Sequence, residues 1–400
     1  MKKFLGEILR LENITWRHWI VIFIAFLFFH IPVVLKSSYH SNLAVHQAEA
    51  FLHKKLDIDK YFWDASVFEG KYYVCFPPVP ALIMVPFVAI FGITVNTVII
   101  SLLITCLSMF LLYRLLCRWM TNISGRKWVF GAFFLGSGYW LVLVTSDHIN
   151  GFAHVVCTAL LFFLLLELTG KKRPIWIGCF WALAFLTRQM AVFYAFLIFY
   201  FLYFENPDKK AAIKNLVTTG LTFGFFSTIY LMFNYFRFHD FFETGYQYLV
   251  YQSSIRNRVD QYGIFSFHYF FYNLYHMFIK GHNIFFSGSN LLSIKGMDLF
   301  GTSIIAASPF VIFSVKADAK KNFLISFWVT IISILIGVLL YHNNGWMQVN
   351  AQRFSLDFFP ALIVLVALSY NKVPFWLFRL FTLYAIALNV FSFLIHSVRS

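Results

Sequence analysis

The sequence carries little charge for its length. Only 12% of its 400 residues are Asp, Glu, Lys or Arg, against roughly 25% in a typical soluble domain. Hydrophobic residues make up 60%, and the mean hydropathy is +0.71. They fall in long blocks such as 19–35, 94–113, 155–168 and 322–341. Each block is near the roughly 20 residues that a helix needs to cross the hydrocarbon core of a bilayer. This distribution excludes a soluble globular domain.

The apolar blocks also lack the short alternating runs that are typical of membrane β-barrels. Because backbone groups inside a bilayer must satisfy each other's hydrogen bonds, unbroken apolar blocks predict helices. Cysteine is scarce as well: the five cysteines lie mostly inside apolar runs, which indicates small buried side chains and not a disulfide or zinc framework. We therefore predict an all-α polytopic membrane protein, with residues 1–400 forming a single integral membrane domain.

Positive charge, in contrast, is abundant, with a net charge of +15. The positive-inside rule assigns the segments that hold the lysines and arginines to the cytoplasm, and their scatter along the chain argues against a nucleic-acid partner. These segments are the N-terminus, 114–127, 171–173, 209–214, 316–321 and Lys372. About eleven transmembrane helices follow from this assignment, near 18–35, 95–117, 128–146, 150–169, 174–188, 190–205, 215–235, 299–315, 322–341, 356–371 and 374–395. We expect a bacterial-type inner membrane, with the N-terminus in the cytoplasm and the C-terminus outside.

Four stretches then lie outside: 36–93, 145–151, 236–298 and 342–357. They contain most charged residues other than the cytoplasmic lysines and arginines. A protein that only spanned the bilayer would not require such side chains there, so we expect these stretches to form the functional site. We also predict helices at the membrane surface in the first and second large outer loops, the second of them over 265–279.

The first outer loop, 36–93, contains several recognisable elements. Periodicity predicts a helix over 41–55, with Ser41 or Asn42 as its N-cap. An aromatic-rich turn over 63–73 predicts a small hairpin, and two prolines then lead into a short apolar helix over 81–92 that is expected at the interface. One face of the first helix carries side chains that are either solvated or able to ligate a metal, namely His46, Glu49 and His53.

Several short motifs follow one another in a characteristic order. They are Gly70-Lys71-Tyr72-Tyr73, Pro77-Pro78, Ser146-Asp147-His148, Ala184-Phe185-Leu186-Thr187-Arg188, Gly345-Trp346-Met347-Gln348 and Arg353-Phe354-Ser355-Leu356-Asp357-Phe358-Phe359-Pro360. Together with the placement of a helix-bearing loop after the first span, this order resembles the GT-C glycosyltransferases, notably the protein O-mannosyltransferases and the lipid A aminoarabinose transferases. The resemblance implies an enzyme that takes a sugar from a polyprenyl-phosphate carrier. It would pass that sugar to a glycan, lipid or protein acceptor of the cell envelope on the extracytoplasmic side.

Two positions depart from that family pattern. Active members carry an Asp, often Asp-Glu, directly after the first span, whereas this chain has no acidic residue there before Glu49. A Glu-Lys pair precedes Pro-Pro in the aminoarabinose transferases, and here Cys75-Phe76 takes its place. The resemblance therefore implies that Asp64, Glu49 or Asp147 has taken the role of the base, or that the chain is not a conventional transferase.

Asp64 is the leading candidate for the base. Removal of a proton from an acceptor hydroxyl requires a carboxylate within hydrogen-bond reach, and the rigid aromatic turn around Asp64 would hold it in position. An Asp that only caps this turn is the alternative. Asp147, beside His148 at the end of a span, is either a second catalytic acid or a helix cap. Glu49 is the third candidate.

A departing polyprenyl phosphate calls for positive charge. Arg353 is the first candidate, because an arginine at the outer mouth of a span runs against the usual charge bias and its guanidinium can hold phosphate through two parallel hydrogen bonds. An ion pair with Asp357 across one helical turn is the alternative. Arg188 interrupts an apolar run: at the outer end of a span it would reach the same pocket, and deeper in the membrane it would require a specific partner. Further donor-binding candidates are Lys71, His148, Arg256 and Arg258, and for the last two arginines simple solvation is the alternative.

No metal site is predicted, although a divalent cation at the phosphate stays open. Two other functions fit the same sequence: a transporter or flippase for a lipid-linked saccharide, and a catalytically silent protein that binds one. Transporters tend to show internal repeats and charged or broken spans at the middle of the membrane. The halves of this chain show no repeat and its acidic residues gather outside the spans, which favours the transferase.

Overall fold

The computed structural model describes residues 16–36, 42–251, 253–298, 300–342 and 352–399. The predicted motif at 345–348 and residues 37–41, directly after the first span, lie outside the described residues. The α-helices are α1 (Trp16–Phe29), α2 (Ile31–Lys36), α3 (Leu43–Leu52), α4 (Val79–Phe91), α5 (Thr97–Trp119), α6 (Ile123–Phe134), α7 (Tyr139–Val144), α8 (Ile149–Leu168), α9 (Pro174–Phe185), α10 (Ala195–Phe199), α11 (Lys209–Phe238), α12 (Ser253–Tyr262), α13 (Phe270–Leu274), α14 (Ile304–Ala307), α15 (Lys321–Leu339), α16 (Phe359–Ser369) and α17 (Phe375–Arg399).

Shorter helical turns and two hairpins complete the described chain. The 3₁₀ turns are Gly92–Thr94, Gln189–Tyr194, Tyr246–Tyr248, Phe267–Tyr269, Pro309–Lys316, Arg353–Asp357 and Tyr370–Lys372, and the π turns are Tyr200–Phe204 and Tyr275–Ile279. The strands are β1 (Ala65–Phe68), β2 (Lys71–Val74), β3 (Ile284–Ser287) and β4 (Ser293–Met297), paired antiparallel as β1–β2 and β3–β4.

Five of the helices are long and apolar enough to cross a bilayer, which agrees with a multi-pass membrane protein. They are α5, α8, α11, α15 and Phe375–Ile395 within α17, and each coincides with a predicted span. Further apolar helices are shorter: Trp19–Phe29, Val79–Thr94, Pro174–Phe185, Gln189–Phe204 and Phe359–Lys372. The total of about eleven spans stays a prediction.

The structure interrupts some predicted spans. The span expected over 128–146 is divided between α6 and α7, and Asn389 of α17 donates hydrogen bonds to the carbonyls of Leu135 and Ser137 at the break, at 2.7 and 2.8 Å. A side chain thus satisfies backbone groups that a continuous helix would have paired, which lipid could not do. The span expected over 299–315 contains only the short α14 and a 3₁₀ turn that begins at Pro309, where the backbone N–H is missing.

The first predicted outer loop folds as a compact cap. The predicted helix is present as α3, and the side chain of its N-cap Asn42 accepts a hydrogen bond from the N–H of Ala44. The predicted hairpin is β1–β2, closed by Glu69 and Gly70 with φ angles of +49° and +74°, the pair of positive values that a two-residue hairpin turn requires. The predicted short helix begins slightly earlier, as α4.

Two apolar cores hold the molecule together. The larger one lies among the spans, while a second joins the cap to α8 through buried side chains of α3, β1, β2 and α4, among them Ala48, Ala65, Val74 and Met84. The cap is therefore packed on the bundle. In the second large stretch, 236–298, the helix expected over 265–279 is present as a run of 3₁₀, α and π turns from Phe267 to Ile279. The β3–β4 hairpin was not predicted.

Candidate functional site

One cavity of about 1240 Å³ lies between the cap and the ends of the spans. All four stretches predicted to lie outside contribute to its wall, and we call the end of the bundle that carries it the cavity side. Its charged and polar lining residues include Asp64, Asp147, His148, Asn150, Arg188, Gln189, His342, Arg353 and Asp357. Its aromatic lining residues include Tyr61, Phe62, Trp63, Phe76, Tyr246, Tyr251, Phe265, Tyr341, Phe354 and Phe393.

Asp64 is presented by the start of the first hairpin. It precedes β1 with a φ of +69°, a left-handed conformation that Asp tolerates better than most residues. Its Oδ2 accepts a hydrogen bond from Asn150 at 3.3 Å, so the side chain contacts another element of the fold and does not merely cap its own turn. Burial raises the pKa of the Asp64 carboxyl above its ordinary value, while the charge of Arg353, the hydrogen bond from Asn150 and the nearby His148 oppose that rise.

A buried ion pair crosses the floor of the cavity. Nε and Nη2 of Arg188 donate to the two carboxylate oxygens of Asp357 at 2.8 and 2.7 Å, which is the bidentate geometry of a strong charge-assisted pair. His154 of α8 lies behind it, with Nδ1 3.5 Å from Oδ1 of Asp357. The carboxylate of Asp357 thus pairs with Arg188, which is distant in the sequence. The alternative predicted from the sequence was an ion pair between Arg353 and Asp357 across one helical turn.

Arg353 stands at the start of a 3₁₀ turn beside this pair. Its guanidinium lies 5.4 Å from the ring centre of Phe354. Burial and the like charge of Arg188 lower the pKa of Arg353 to about 10, while Asp64 opposes that shift. The side chain therefore stays cationic at neutral pH, and its charge acts on Asp64 across the cavity.

Asp147 and His148 line the same cavity from the turn between α7 and α8. His148 is the N-cap residue of α8, and its side chain makes no capping hydrogen bond. The N-cap position thus belongs to His148 and not to Asp147. This turn leads directly into the first turn of α8, from which Asn150 donates its hydrogen bond to Asp64.

Four of the catalytic or donor-binding residues predicted from the sequence lie away from the cavity wall. Glu49 is bonded to His53 at 3.2 Å on the surface of α3, and Lys71 is exposed at the start of β2. Arg256 pairs with Asp260 one turn away, at 2.9 Å between exposed side chains, and Arg258 lies over the ring of Tyr272. None of the four is among the residues lining the described cavity.

The metal-binding alternative for the polar face of α3 finds no support in the described residues. His46 stacks on Phe62 with ring centres 4.0 Å apart, and Glu49 is engaged with His53. Within the described part of the chain there is no group of three or more His, Cys, Asp or Glu side chains arranged to hold a metal ion.

Sequence reasoning missed three polar residues of the site. Asn150 follows the Ser146-Asp147-His148 motif, so its place in that short turn was the available signal. Asp357 appeared only as a local partner of Arg353, because pairing across 169 positions in the chain leaves no trace in one sequence. His154 lies inside the apolar block of α8, where nothing distinguishes it from an ordinary buried histidine.

Comparison with known proteins shows which architectures this fold is similar to. No protein-family model matches the sequence, and no curated protein matches it. Among solved structures, ArnT from Cupriavidus metallidurans in the apo state is similar, with a TM-score of 0.53 and 13% sequence identity over 90% of this chain. The fold is GT-C-like.

ArnT from Cupriavidus metallidurans bound to undecaprenyl phosphate matches this chain with a TM-score of 0.52 and 14% identity, again over 90% of the chain. The chain covers 62% and 61% of the length of these two structures. At such low identity the likeness concerns the fold alone. The chemistry must therefore be argued from the cavity of this chain.

Proposed function

We propose that the protein is a glycosyltransferase that uses a polyprenyl-phosphate-linked sugar donor and modifies a cell-envelope acceptor on the extracytoplasmic face of the membrane. The observation that carries the proposal is the cavity itself. It brings one carboxylate of raised pKa, Asp64, within electrostatic reach of Arg353, a buried cation. The aromatic part of the same wall provides apolar surface for a lipid donor.

In the proposed reaction, an acceptor hydroxyl attacks the anomeric carbon of the donor sugar. The new bond joins the acceptor oxygen to that carbon, and the bond from the carbon to the phosphate oxygen breaks. Its electron pair leaves with the polyprenyl phosphate, and the hydroxyl proton passes to the carboxylate of Asp64. Burial suits Asp64 to this task, because a carboxylate with a raised pKa is a stronger base than an exposed one.

Positive charge near the leaving phosphate is the second requirement. Arg353 is the proposed phosphate ligand, since a guanidinium stabilises the charge that develops as the bond breaks. Arg188 also faces the cavity, but the carboxylate of Asp357 already compensates its charge through two hydrogen bonds. We therefore assign Arg188 a positioning role at the floor.

Two observations bear on the alternatives. A flippase would need charged groups along a route through the membrane, whereas the charged lining residues gather at one end of the bundle. A catalytically silent binder should tolerate the loss of Asp64, whereas the transferase should not. Fold similarity to a protein bound to undecaprenyl phosphate supports a polyprenyl-phosphate ligand for all three functions.

Release of free polyprenyl phosphate tests the proposal. Purified protein would be incubated with a panel of undecaprenyl-phosphate sugars and a cell-envelope extract as acceptor. The Asp64→Asn variant keeps the shape of the side chain and removes its basicity. We expect release to fall by about 10²- to 10⁴-fold, the usual contribution of a general base, with donor affinity maintained.

Asp59→Asn is the matched control, because Asp59 lies five positions before Asp64 with an 81% exposed side chain paired to Lys55. It should leave release unchanged. Equal release by wild type and Asp64→Asn would remove Asp64 from the mechanism and leave Asp147 as the acidic candidate in the cavity. Donor binding by wild type without any release would contradict the transferase and favour the flippase or the silent binder.

A further inference from the structure

The β3–β4 hairpin is an apolar ribbon at the cavity side. Its two strands pair only with each other among the described residues, with a register shift between Phe285 and Phe286. Because of that shift, both phenylalanines are exposed. A single two-stranded hairpin is marginally stable in water, so such a ribbon would be expected to carry polar side chains on its open faces. Ser293 and Lys295 are exposed on β4, but both exposed side chains of β3 are phenylalanines.

The tip of the hairpin is more apolar still. Leu291 is 66% exposed and Leu292 is 77% exposed. Leu291 has a φ of +55°, a conformation that is strained for a bulky residue and usually left to Gly or Asn. The turn around it is closed by hydrogen bonds from the N–H of Leu291 to the Gly288 carbonyl and from the N–H of Leu292 to Asn290. The fold thus keeps two leucines projecting outwards at a cost in backbone strain.

Charge along the hairpin has one sign. From Gly281 to Met297 the sequence contains no Asp or Glu, and its only charged residue is Lys295, which is exposed. Exposed apolar side chains accompanied by a lysine are typical of segments that lie in the headgroup region of a bilayer.

The base of the hairpin, in contrast, is fixed. Nζ of Lys280 is 2.6 Å from Oδ2 of Asp298. Although partial burial acts to raise the pKa of Asp298, the hydrogen bonds from Lys280 and from the N–H of Phe300 bring it below its ordinary value. The N–H of Ser303 also donates to the Lys280 carbonyl at 2.9 Å. A rigid base holds the ribbon in one direction, and Leu291 and Leu292 at its tip are exposed in the part of the chain that the structure describes.

The neighbours of the hairpin indicate the environment of its exposed apolar side chains. His282 lies beside Phe391 of α17, with ring centres 6.5 Å apart. Met297 packs on the small cluster of Trp140, Leu141 and Val144, together with Val33 of α2 and Phe393 of α17. The hairpin is therefore adjacent to the ends of two apolar helices whose neighbouring side chains, such as Leu394, are exposed. Its apolar surface continues the lipid-facing surface of the bundle.

We propose that the tip of the β3–β4 hairpin inserts into the headgroup region of the bilayer leaflet on the cavity side, beside the wall of the cavity formed by Val33 and Phe393. Lys295 would meet lipid phosphate, and Leu291 and Leu292 would reach the upper acyl chains. The ribbon stops at this depth because its unpaired edge groups must stay in contact with water or headgroups. This proposal does not depend on the transferase activity.

Spin labelling in vesicles tests the insertion. The full-length protein carrying Leu292→Cys would be labelled with a nitroxide and reconstituted into phosphatidylethanolamine and phosphatidylglycerol vesicles. Collision with oxygen, which concentrates in lipid, would be compared with collision with a water-soluble nickel complex. Asn257→Cys, on the exposed face of the polar α12, is the aqueous reference, and Phe225→Cys, exposed in the middle of α11, is the lipid reference.

We expect the label at position 292 to have a several-fold higher ratio of oxygen to nickel accessibility than the label at 257, but a lower ratio than the label at 225. Phe286→Cys repeats the measurement from the neighbouring strand if the first variant folds poorly. Unsubstituted protein treated in parallel corrects for its own cysteines. A ratio at 292 equal to that at 257 would place the hairpin in water and overturn the proposal. Exclusion of both reagents would also overturn it, because it would indicate contact with another protein surface.

Discussion

Burial and the charge of Arg353 have the largest effects on the pKa of Asp64, and the hydrogen bond from Asn150 contributes as well. Asn150 stabilises the ionised form, and therefore lowers a pKa that burial raises. A base must be ionised to act, so activity should rise with pH through the pKa of Asp64. Asn150→Ala removes the stabilising donor, which raises that pKa further. We expect the acidic limb of the kcat/KM profile for polyprenyl phosphate release to move to higher pH.

Asn257→Ala, which removes an exposed amide on α12, should leave the same pH profile where it is. An unshifted limb in Asn150→Ala, with normal release at high pH, would mean that Asp64 is not the group whose ionisation the profile reports. The experiment therefore tests whether Asp64 is the base separately from whether the protein is a transferase.

The Arg188–Asp357 pair is a residue-scale feature with a consequence for stability. Asp357 is 1% exposed and Arg188 16% exposed, so removing one partner leaves the other charge largely without solvent. We expect Asp357→Leu to lower the free energy of unfolding by about 3–5 kcal/mol. The double variant with Arg188→Met should lose less than the sum of the two single changes, measured by denaturation in mixed detergent micelles.

The exposed pair of Arg256 and Asp260 is the control for this set of single and double variants. Both side chains are more than half exposed, and removing one of them should cost about 0.2–1 kcal/mol. Strict additivity of the Arg188 and Asp357 variants would contradict an energetic coupling at the floor of the cavity.

At the scale of elements, the end of α11 holds the hairpin that carries Asp64. Nη1 of Arg237 donates to the carbonyl of Val74 at 2.6 Å, and Val74 is the register partner of Ala65, the residue after Asp64. Ser66 is fixed in turn by a 2.7 Å hydrogen bond to the carbonyl of Gly245. These contacts bind both strands to the second large stretch, next to the left-handed residue Asp64.

Arg237→Lys keeps the charge but loses the fork of donors, so the strand should shift. We expect release to slow on the order of 10²-fold in kcat, the effect of misplacing a catalytic group by about 1 Å, with little change in donor affinity. The buried thiol of Cys75, next to Val74, provides a readout that does not depend on activity, because its maleimide labelling should become faster.

Arg173→Lys is the control for this change, because it alters an arginine that pairs with Glu167 at 2.7 Å and is not among the residues lining the cavity. Unchanged labelling of Cys75 in Arg237→Lys would show that the hairpin does not need this contact. A slower release without faster labelling would assign Arg237 to another step.

Local elements could be predicted where a short stretch of the sequence determines their structure. Periodicity with Ser41 or Asn42 as N-cap predicted α3, and the aromatic-rich turn over 63–73 predicted β1–β2, each from immediate neighbours in the sequence. The β3–β4 hairpin escaped prediction because its turn, with Leu291 at positive φ, lacks the usual residue. The break between α6 and α7 falls at Gly136-Ser137-Gly138, and Asn389, far along the chain, donates to the carbonyls exposed there; hydropathy alone extends one span across it.

For the whole molecule, hydropathy and charge bias predicted a helical membrane protein, and the motif order predicted its GT-C-like fold. The same evidence predicted that four separate stretches would form the functional site, and they line one cavity. Within that site the candidates Asp64, Asp147, His148, Arg188 and Arg353 line the cavity, but their pairing did not follow from the sequence. Side chains such as Arg188 and Asp357 meet only because the bundle brings distant segments together.

The predicted orientation is testable on the intact chain. Positive-inside bias places the C-terminus outside the cytoplasm, so an alkaline phosphatase fused after Ser400 should be active and a green fluorescent protein fused there should be dark. Fusions truncated within 209–214 should behave in the opposite way. The reverse pattern would place the cavity in the cytoplasm and exclude an extracytoplasmic transferase.

The length of α11 connects the site to the membrane around it. With 30 residues this helix is about 45 Å long, which exceeds the roughly 30 Å hydrocarbon core of a typical bilayer. Few of its side chains are buried, and its final turn contains Arg237. Its predicted span, 215–235, is only about 31 Å long and matches that core, so a bilayer of different thickness would tilt α11 and would move Val74 and the strand next to Asp64. The acyl-chain length of the surrounding lipid would thereby act as a mechanical input to the proposed reaction, with no ligand bound.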